Sequence, residues 1–357
     1  MGSLVGQRRL VKKNRESESV HAWNRDARSP WVRVVIVNYN AGALLQASVD
    51  ALAAQSLTDF EAVVVDNAST NPPVSMLCLP DGRFRVIHAG GNVGFAAGCN
   101  IGARDAETPW LAMLNPDAMP RPDWLHELRA ATERHRGITM FGSTQLDAAD
   151  PAIIDGFGDM VSALGTAWRS GGGEPASTLP GGDCEVFSPC GAAALYATAS
   201  FAEAGGYDER FFCYLEDVDL GFRLRLRGDR CIQVRRAEVL HVGSAIAGRM
   251  SDFGVFHSYR NRVWMFAKNL PAPLLAPILP LQIAAILAAF TRRTVRPHLR
   301  AASRGLVAGL KGLPAAIRAR RDVQPQRRAT SIQVAMMLDW HLMRRHVKLS
   351  QLVPKLE

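Results

Sequence analysis

The apolar residues of this chain fall into short unbroken runs separated by polar turns. Four runs come early: Arg33-Val-Val-Ile-Val37, Glu61-Ala-Val-Val-Val65, Phe84-Arg-Val-Ile87 and Trp110-Leu-Ala-Met-Leu114. Runs of this length fit strands buried on both faces. A helical stripe lies between the first two, with Leu44, Leu45, Val49 and Leu52 on one side of 43–54. Strands alternating with helices predict right-handed βαβ units, hence an α/β fold with a mainly parallel central sheet flanked by helices. From about 138 to 240 the pattern is mixed. Ala192-Ala-Ala-Leu-Tyr196 and Cys231-Ile-Gln-Val234 are strand candidates there, and Gly171-Gly-Gly173 and Pro180-Gly-Gly182 mark loops. From 255 onward the pattern is helical.

The last third is apolar in a different way. Residues 269–291 carry no charge, which is long enough to span a bilayer. Pro271, Pro273, Pro277 and Pro280 are expected to break its first half. That favours an interfacial or re-entrant segment, with a true span and a helix packed on the rest of the protein as alternatives. Further on, Leu306, Leu310, Leu313 and Ile317 share a stripe beside Arg304, Lys311, Arg318, Arg320 and Arg321. That pattern fits a membrane-surface helix, although Gly305, Gly309, Gly312 and Pro314 weaken its helicity.

Charge sharpens this division. The chain has 357 residues and a net charge of +9. Residues 1–33 carry +5 and 292–357 carry +12, so the middle carries −8. A basic excess confined to the flanks argues against nucleic acid and for an anionic membrane surface. Residues 1–31 read as a disordered basic arm, 32–268 as an α/β domain and 269–357 as a helical, membrane-associated tail. The start lacks the long apolar stretch of a signal peptide. Six cysteines at 78, 99, 184, 190, 213 and 231 form no Cys-x-x-Cys pair, so reduced thiols are expected.

Candidate chemistry collects at the strand ends, where open α/β sheets bind ligands. Asn115-Pro116-Asp117 places a carboxylate where it could hold a divalent cation against a diphosphate, or it is a simple Asn-Pro turn. Asp66 and Asn67 could meet ribose or base, or Asp66 could cap the turn to Ser69. Gly94, Gly98 and Gly102 recur every four residues, giving a smooth helix face for the sheet or a ligand. The region lacks both the dinucleotide-binding and the Walker glycine patterns. Glu216, Asp217 and Asp219 gather three carboxylates, which suits a general base or an acidic first helical turn. His241 is a metal ligand or a core histidine. Arg260 and Arg262 could grip phosphate or lie on a solvated face.

Taken in order, the motifs resemble glycosyltransferase family 2, in its rhamnosyltransferase-like branch. The carrying residues are Val37-Asn-Tyr-Asn40, Asp66-Asn-Ala-Ser69, Asn92-Val-Gly-Phe-Ala-Ala-Gly-Cys-Asn-Ile-Gly102 and Leu114-Asn-Pro-Asp-Ala118. Gly205-Gly-Tyr-Asp-Glu-Arg-Phe-Phe212, Tyr214-Leu-Glu-Asp-Val-Asp-Leu220 and His241-Val-Gly-Ser244 complete the set. The resemblance covers about 32–265. It implies a GT-A fold, a nucleotide-diphosphate sugar donor, a divalent cation (Mg²⁺ or Mn²⁺) and inversion at the anomeric carbon. It implies that Asn38, Tyr39, Asp66 and Asn67 bind the nucleoside, and that Asn92, Gly94 and Asn100 line the donor pocket. Asn115 and Asp117 stand at the family's D-x-D motif, with Asn replacing the first Asp and leaving less negative charge for the metal. His241 would be a second metal ligand. Asp217 would be the catalytic base, with Glu216 beside it.

The branch resembled points to L-rhamnose from dTDP-rhamnose; galactofuranose, glucose and N-acetylglucosamine are alternatives. The tail composition points to a lipid-linked glycan acceptor at the cytoplasmic face of the membrane, reached by a peripheral or re-entrant protein, with Arg260 and Arg262 as candidates for its phosphate. A nucleotidyltransferase would need a basic glycine-rich loop, and 38–45 has no Lys or Arg. An inactive sugar-nucleotide-binding or scaffold protein is the remaining competitor.

Overall fold

Every strand read from the early apolar runs forms, because each run is flanked by packed layers. The computed structural model describes residues 29–243, 251–291, 293 and 295–340. Nearly all of the expected basic arm, Ser244 of the His241 motif, Arg292 and the tail beyond 340 lie outside the described residues.

The first half runs β1 (Val32–Asn38), α1 (Ala43–Ala53), β2 (Phe60–Asp66), β3 (Phe84–His88), α2 (Gly94–Ala103), β4 (Trp110–Leu114), β5 (Ala118–Pro120) and α3 (Trp124–Arg134). The middle adds β6 (Met140–Asp147), β7 (Ile154–Gly156), β8 (Asp159–Val161), β9 (Ala167–Arg169), β10 (Cys184–Val186), β11 (Ala193–Ala197), α4 (Thr198–Glu203), α5 (Glu216–Leu226) and β12 (Cys231–His241). The end is helical: α6 (Asp252–Asn269), α7 (Ala272–Phe290), α8 (Leu299–Val323) and α9 (Ser331–Met337).

The main sheet runs β10-β12-β6-β11-β4-β1-β2-β3. Strands β3, β2, β1 and β4 are parallel, as expected. Beyond β4 the sheet is mixed, because β11 lies antiparallel to both β4 and β6. Alternate residues of β1 feed opposite faces, as a period-two strand must. Val34 and Ile36 pack with α1 and α3 through Leu45, Val49, Trp124 and Leu128. Val35 and Val37 pack with α2 and α5 through Ala96, Cys99 and Leu220.

The tail is packed more closely than its composition suggested. Leu270, Ile278, Val334 and Leu338 share a buried cluster with Phe222 and Phe266. The packing therefore continues across 268. Helix α8 lies along α6, and its glycines are the contact surface. A Cβ at Gly309 would meet Val263 at 3.0 Å, and Trp264 Nε1 donates to the Gly309 carbonyl at 2.9 Å. The propensity these glycines cost is offset by the close approach they allow.

Helix α7 corrects the expected break: it runs unbroken through Pro277 and Pro280. Both prolines are exposed. The helix is long and apolar enough to cross a membrane by length and composition.

Candidate active site

Strand ends β1, β2 and β4, the turn before β11, the β8–β9 hairpin and the N-terminus of α5 surround one cavity of about 780 Å³. Its lining includes Tyr39, Asn67, Asn92, Gly94, Asn115, Asp117, Glu216, Asp217 and His241. Nine of the sequence-derived candidates thus meet in one place.

The pairing of β12 with β5 sets the first constellation. His241 is registered against Ala118, which puts it beside Asp117. His241 Nε2 stands 3.4 Å from Asp117 Oδ1, and both residues are buried. On the other side, His241 Nδ1 bonds Asp155 Oδ2 at 2.7 Å. A carboxylate that fixes one imidazole nitrogen and leaves the other facing a second carboxylate is the usual surround of a metal-binding histidine. Two donors about 2.1 Å from one cation stand roughly 3–3.5 Å apart, so the pair fits a shared ion. Burial opposes protonation of His241, but the flanking carboxylates of Asp117 and Asp155 more than offset it, raising its pKa.

Helix α5 supplies the second constellation and separates its three acids. Asp219 is turned into the core, bonded by Arg223 at 2.9 Å, Lys268 at 2.8 Å and Asn269 at 2.8 Å. It is a structural anion. Asp217 faces the cavity; its Oδ2 accepts from the Gly191 N–H at 2.7 Å and its Oδ1 from the Val218 N–H at 2.8 Å. Burial raises Asp217 above the usual carboxylate range, while those N–H groups and nearby Arg169 pull it back. Glu216 is pushed further up by burial and by the Asp217 charge. Its Oε2 is buried without a hydrogen-bond partner among the described residues.

The segment leading into α5 is strained. Phe212, Tyr214 and Leu215 all have positive φ, at 63°, 71° and 65°. Left-handed backbone at non-glycine residues persists only where the surroundings impose it. Here the clamp is Asn261, fully buried on α6. Its amide donates to the carbonyls of Phe211, Cys213 and Tyr214 at 3.0, 2.9 and 2.7 Å.

The nucleoside-side candidates divide into two layers. Tyr39 and Asn67 line the cavity. Asn67 donates to the Gly94 carbonyl at 3.1 Å, and its buried Oδ1 has no partner among the described residues. Asn38 and Asp66 stand behind: Asn38 Nδ2 bonds Asp66 Oδ1 at 3.1 Å and Ser69 Oγ at 2.9 Å. Asp66 also caps the Ser69 N–H, the turn role weighed from the sequence. Asn92 accepts from the Gly94 N–H at 3.2 Å. Gly94 has φ +88° and lies so close to Phe212 that a Cβ would sit 2.5 Å from its ring. Gly98 and Gly102 instead press on Val37 and Val35 of the sheet.

Three further candidates, like Asn38 and Asp66, lie outside the cavity lining. Asn100 ties α2 to the turn at 206–209 through Tyr207 and Glu209. Arg260 donates to the Phe211 carbonyl at 2.7 Å and stacks over Trp264. Arg262 donates to the Leu164 carbonyl at 2.6 Å. The two arginines therefore brace backbone.

With this geometry in place, the comparisons separate fold from family. Residues 33–147 match the model of Glycosyl transferase family 2. The chain carries a family 2 glycosyltransferase domain. The N-acetylglucosaminyl-diphospho-decaprenol L-rhamnosyltransferase of Mycobacterium tuberculosis is 29% identical over 241 residues, spanning 60% of this chain and 77% of that protein. A Low-salt glycan biosynthesis hexosyltransferase of Haloferax volcanii is 27% identical, spanning 64% of this chain and 73% of that one. Among solved structures, S. aureus TarS 1–349 superposes with a TM-score of 0.51 at 14% identity, covering 82% of this chain and 90% of that one. GalNAc-T7 with UDP, GalNAc and Mn²⁺ reaches 0.52 at 15% identity, over 71% and 54%. These likenesses establish the GT-A fold.

Some residues in and around the cavity gave little sign in the sequence. Asp155, Asp159, Trp168, Arg169 and Asn261 come from the mixed region or from a motif read as phosphate-binding. The Ala167-Trp-Arg169 triplet before a glycine run was the available signal. Cys190 lies beside Asp217 and Asp159, with the three ligand atoms within 4.8 Å of one another. Burial pushes its thiol up to about 12, so it stays protonated and is no nucleophile.

Proposed function

We propose that this glycosyltransferase moves L-rhamnose from dTDP-rhamnose to a hydroxyl of a lipid-linked glycan precursor, with inversion at the anomeric carbon. The observation that carries the reading is that Asp217 and the Asp117–His241 pair open onto one cavity. The name of the mycobacterial relative, a rhamnosyltransferase acting on an N-acetylglucosaminyl-diphospho-lipid, supports the choice of sugar and acceptor.

Asp217 is the base. It takes the acceptor hydroxyl proton as that oxygen bonds to the anomeric carbon. The bond from that carbon to the diphosphate breaks, and its electron pair leaves with the nucleoside diphosphate. A single displacement needs no nucleophilic side chain, and Glu216 keeps Asp217 in a buried, carboxylate-rich wall. Asp117 and His241 would hold a divalent cation, Mg²⁺ or Mn²⁺, with Asn115 beside them as a neutral oxygen. When bound, the cation neutralises charge developing on the departing diphosphate. Tyr39 and Asn67 face the nucleoside, and Asn38 and Asp66 hold that wall in place.

Residues 32–268 do the chemistry, and the exposed apolar side of α7 with the basic residues after it meets the cytoplasmic face of an anionic membrane. Leu279, Leu281, Ile283 and Leu287 are all exposed on α7.

A donor screen tests the reading. Purified protein is mixed with nucleotide sugars and Mg²⁺ or Mn²⁺ and followed by thermal shift and nucleoside diphosphate release. A ligand at 100 times its Kd stabilises by about 2.7 kcal/mol, a readable shift. dTDP-rhamnose is expected to stabilise wild type and Asp217→Asn, to bind Asp117→Ala less tightly, and to turn over only with wild type and a membrane extract. Stabilisation by another nucleotide sugar alone would replace the rhamnose assignment. No binding by any donor under any metal would sink the transferase role and leave a scaffold.

A further inference from the structure

Among the described residues lining the cavity, Asp117, Asp159, Glu216 and Asp217 bring carboxylates, and Arg169 alone brings a permanent positive charge. A nucleotide sugar carries a diphosphate, and so does a lipid diphosphate acceptor. A wall of carboxylates repels both unless a cation is placed to receive them. Arg260 and Arg262, which the sequence offered for this part, lie outside that lining and donate to the Phe211 and Leu164 carbonyls.

The position of Arg169 is built from several sides. It ends β9, whose partner β8 is anchored by Val161 in the cluster with Phe266 and Ile278. The hairpin turn is gripped at Leu164 by Arg262. The stem of Arg169 passes over Gly156, where a Cβ would sit 2.9 Å from its Cδ. Its Nη1 pairs with Asp155 Oδ2 at 2.6 Å, the same oxygen that holds His241 Nδ1. About a third of the side chain stays open, at 35% exposure. A guanidinium has five N–H donors in a fixed fork. Asp155 uses one of them and sets the plane of the rest.

We propose that Arg169 grips a phosphate of the substrate, between the Asp117–His241 pair and the base. The inference rests on the glycosyltransferase reading above. The phosphate belongs to the donor diphosphate or to the diphosphate of a lipid-linked acceptor, and the experiment separates these.

Full-length protein is compared with Arg169→Gln and Arg169→Lys. dTDP and thymidine binding are measured by calorimetry across a Mg²⁺ series, and KM and kcat with a short-chain polyprenyl-diphosphate-N-acetylglucosamine. Loss of a charge-assisted phosphate contact is expected to weaken one substrate by about 10- to 100-fold, with Arg169→Lys recovering part of it. If the donor is the partner, dTDP affinity falls and thymidine affinity holds. If the acceptor is the partner, dTDP affinity holds and the acceptor KM rises. Thermal unfolding shows that each variant is folded, and Arg169→Lys keeps the charge if Arg169→Gln does not fold.

Arg169→Gln with dTDP affinity and acceptor KM within about twofold of wild type would overturn the proposal. So would a defect cured by excess Mg²⁺, since Arg169 would then serve only to set Asp155 and His241. Wild type that binds no nucleoside diphosphate would instead remove the donor reading itself, and Arg169's part with it.

Discussion

At the scale of single residues, the role proposed for Asp217 comes with a cost. Burial raises its pKa above that of the unfolded chain, so the native state holds its proton more tightly. The stabilising side of that linkage is present at low pH. It is lost as pH rises through the folded pKa, where a buried carboxylate must ionise. Asp217→Asn is therefore expected to lower kcat by about 10²- to 10⁴-fold while raising the melting temperature above wild type at neutral pH. A lower melting temperature would contradict the burial argument. The same shift sets the pH profile. The base must be ionised, so kcat/KM is expected to fall on the acid side with a midpoint above the ordinary carboxylate range of about 4. Asn261 acts from further away. Replacing it by Ala leaves three carbonyls of a strained, buried turn without their donor, at a cost of about 1–3 kcal/mol. Urea unfolding should report that loss, and kcat should fall with it, because the turn delivers Asp217.

At the scale of elements, the α6–α8 pair shows why helical pattern alone misplaces a face. The glycines of α8 lower its intrinsic helicity, yet they are where α6 seats. Gly309→Leu is expected to destabilise by about 1–3 kcal/mol through overpacking against Val263, measured by chemical denaturation. An unchanged midpoint would mean that the helices are free to separate. The strands divide in a similar way. Strands β1 to β4 could be read because runs such as Val34 to Val37 are buried on both faces. Strand β6 could not, because Ser143, Thr144 and Gln145 are buried at its centre. Their polarity is satisfied in part by tertiary partners: Trp124 Nε1 donates to Ser143 Oγ, and Thr144 Oγ1 donates to the Arg235 carbonyl. No apolar period marks such a strand.

At the scale of the molecule, the tail belongs to the catalytic body and also presents a surface. A cut at 268 would remove Leu270, Ile278, Val334 and Leu338 from the cluster that holds Phe222. Truncation thus tests stability before it tests membrane binding. Exchanging exposed Leu279, Leu281, Ile283 and Leu287 together for Ser spares that cluster. The full-length variant is expected to keep its thermal unfolding and to lose co-sedimentation with anionic phospholipid vesicles. Retained sedimentation would count against a membrane-facing α7.

The sequence by itself determined the order of the early strands, the strand-end positions of Asp66, Asn67, Asn115 and Asp117, and the motifs that carry the family resemblance. Those features are local: a buried strand needs its own apolar run, and a turn needs its own polar residues. Only the tertiary structure decided which member of each cluster does what. Asp217 and Asp219 are two residues apart, yet one faces the cavity and the other is neutralised by Arg223 and Lys268. Asp155, Arg169 and His241 meet across 86 residues of chain because β12 is registered on β5 and the β8–β9 hairpin closes over them. Long-range pairing sets the field around each charge, and that field separates a cavity-facing carboxylate or guanidinium from a structural ion pair.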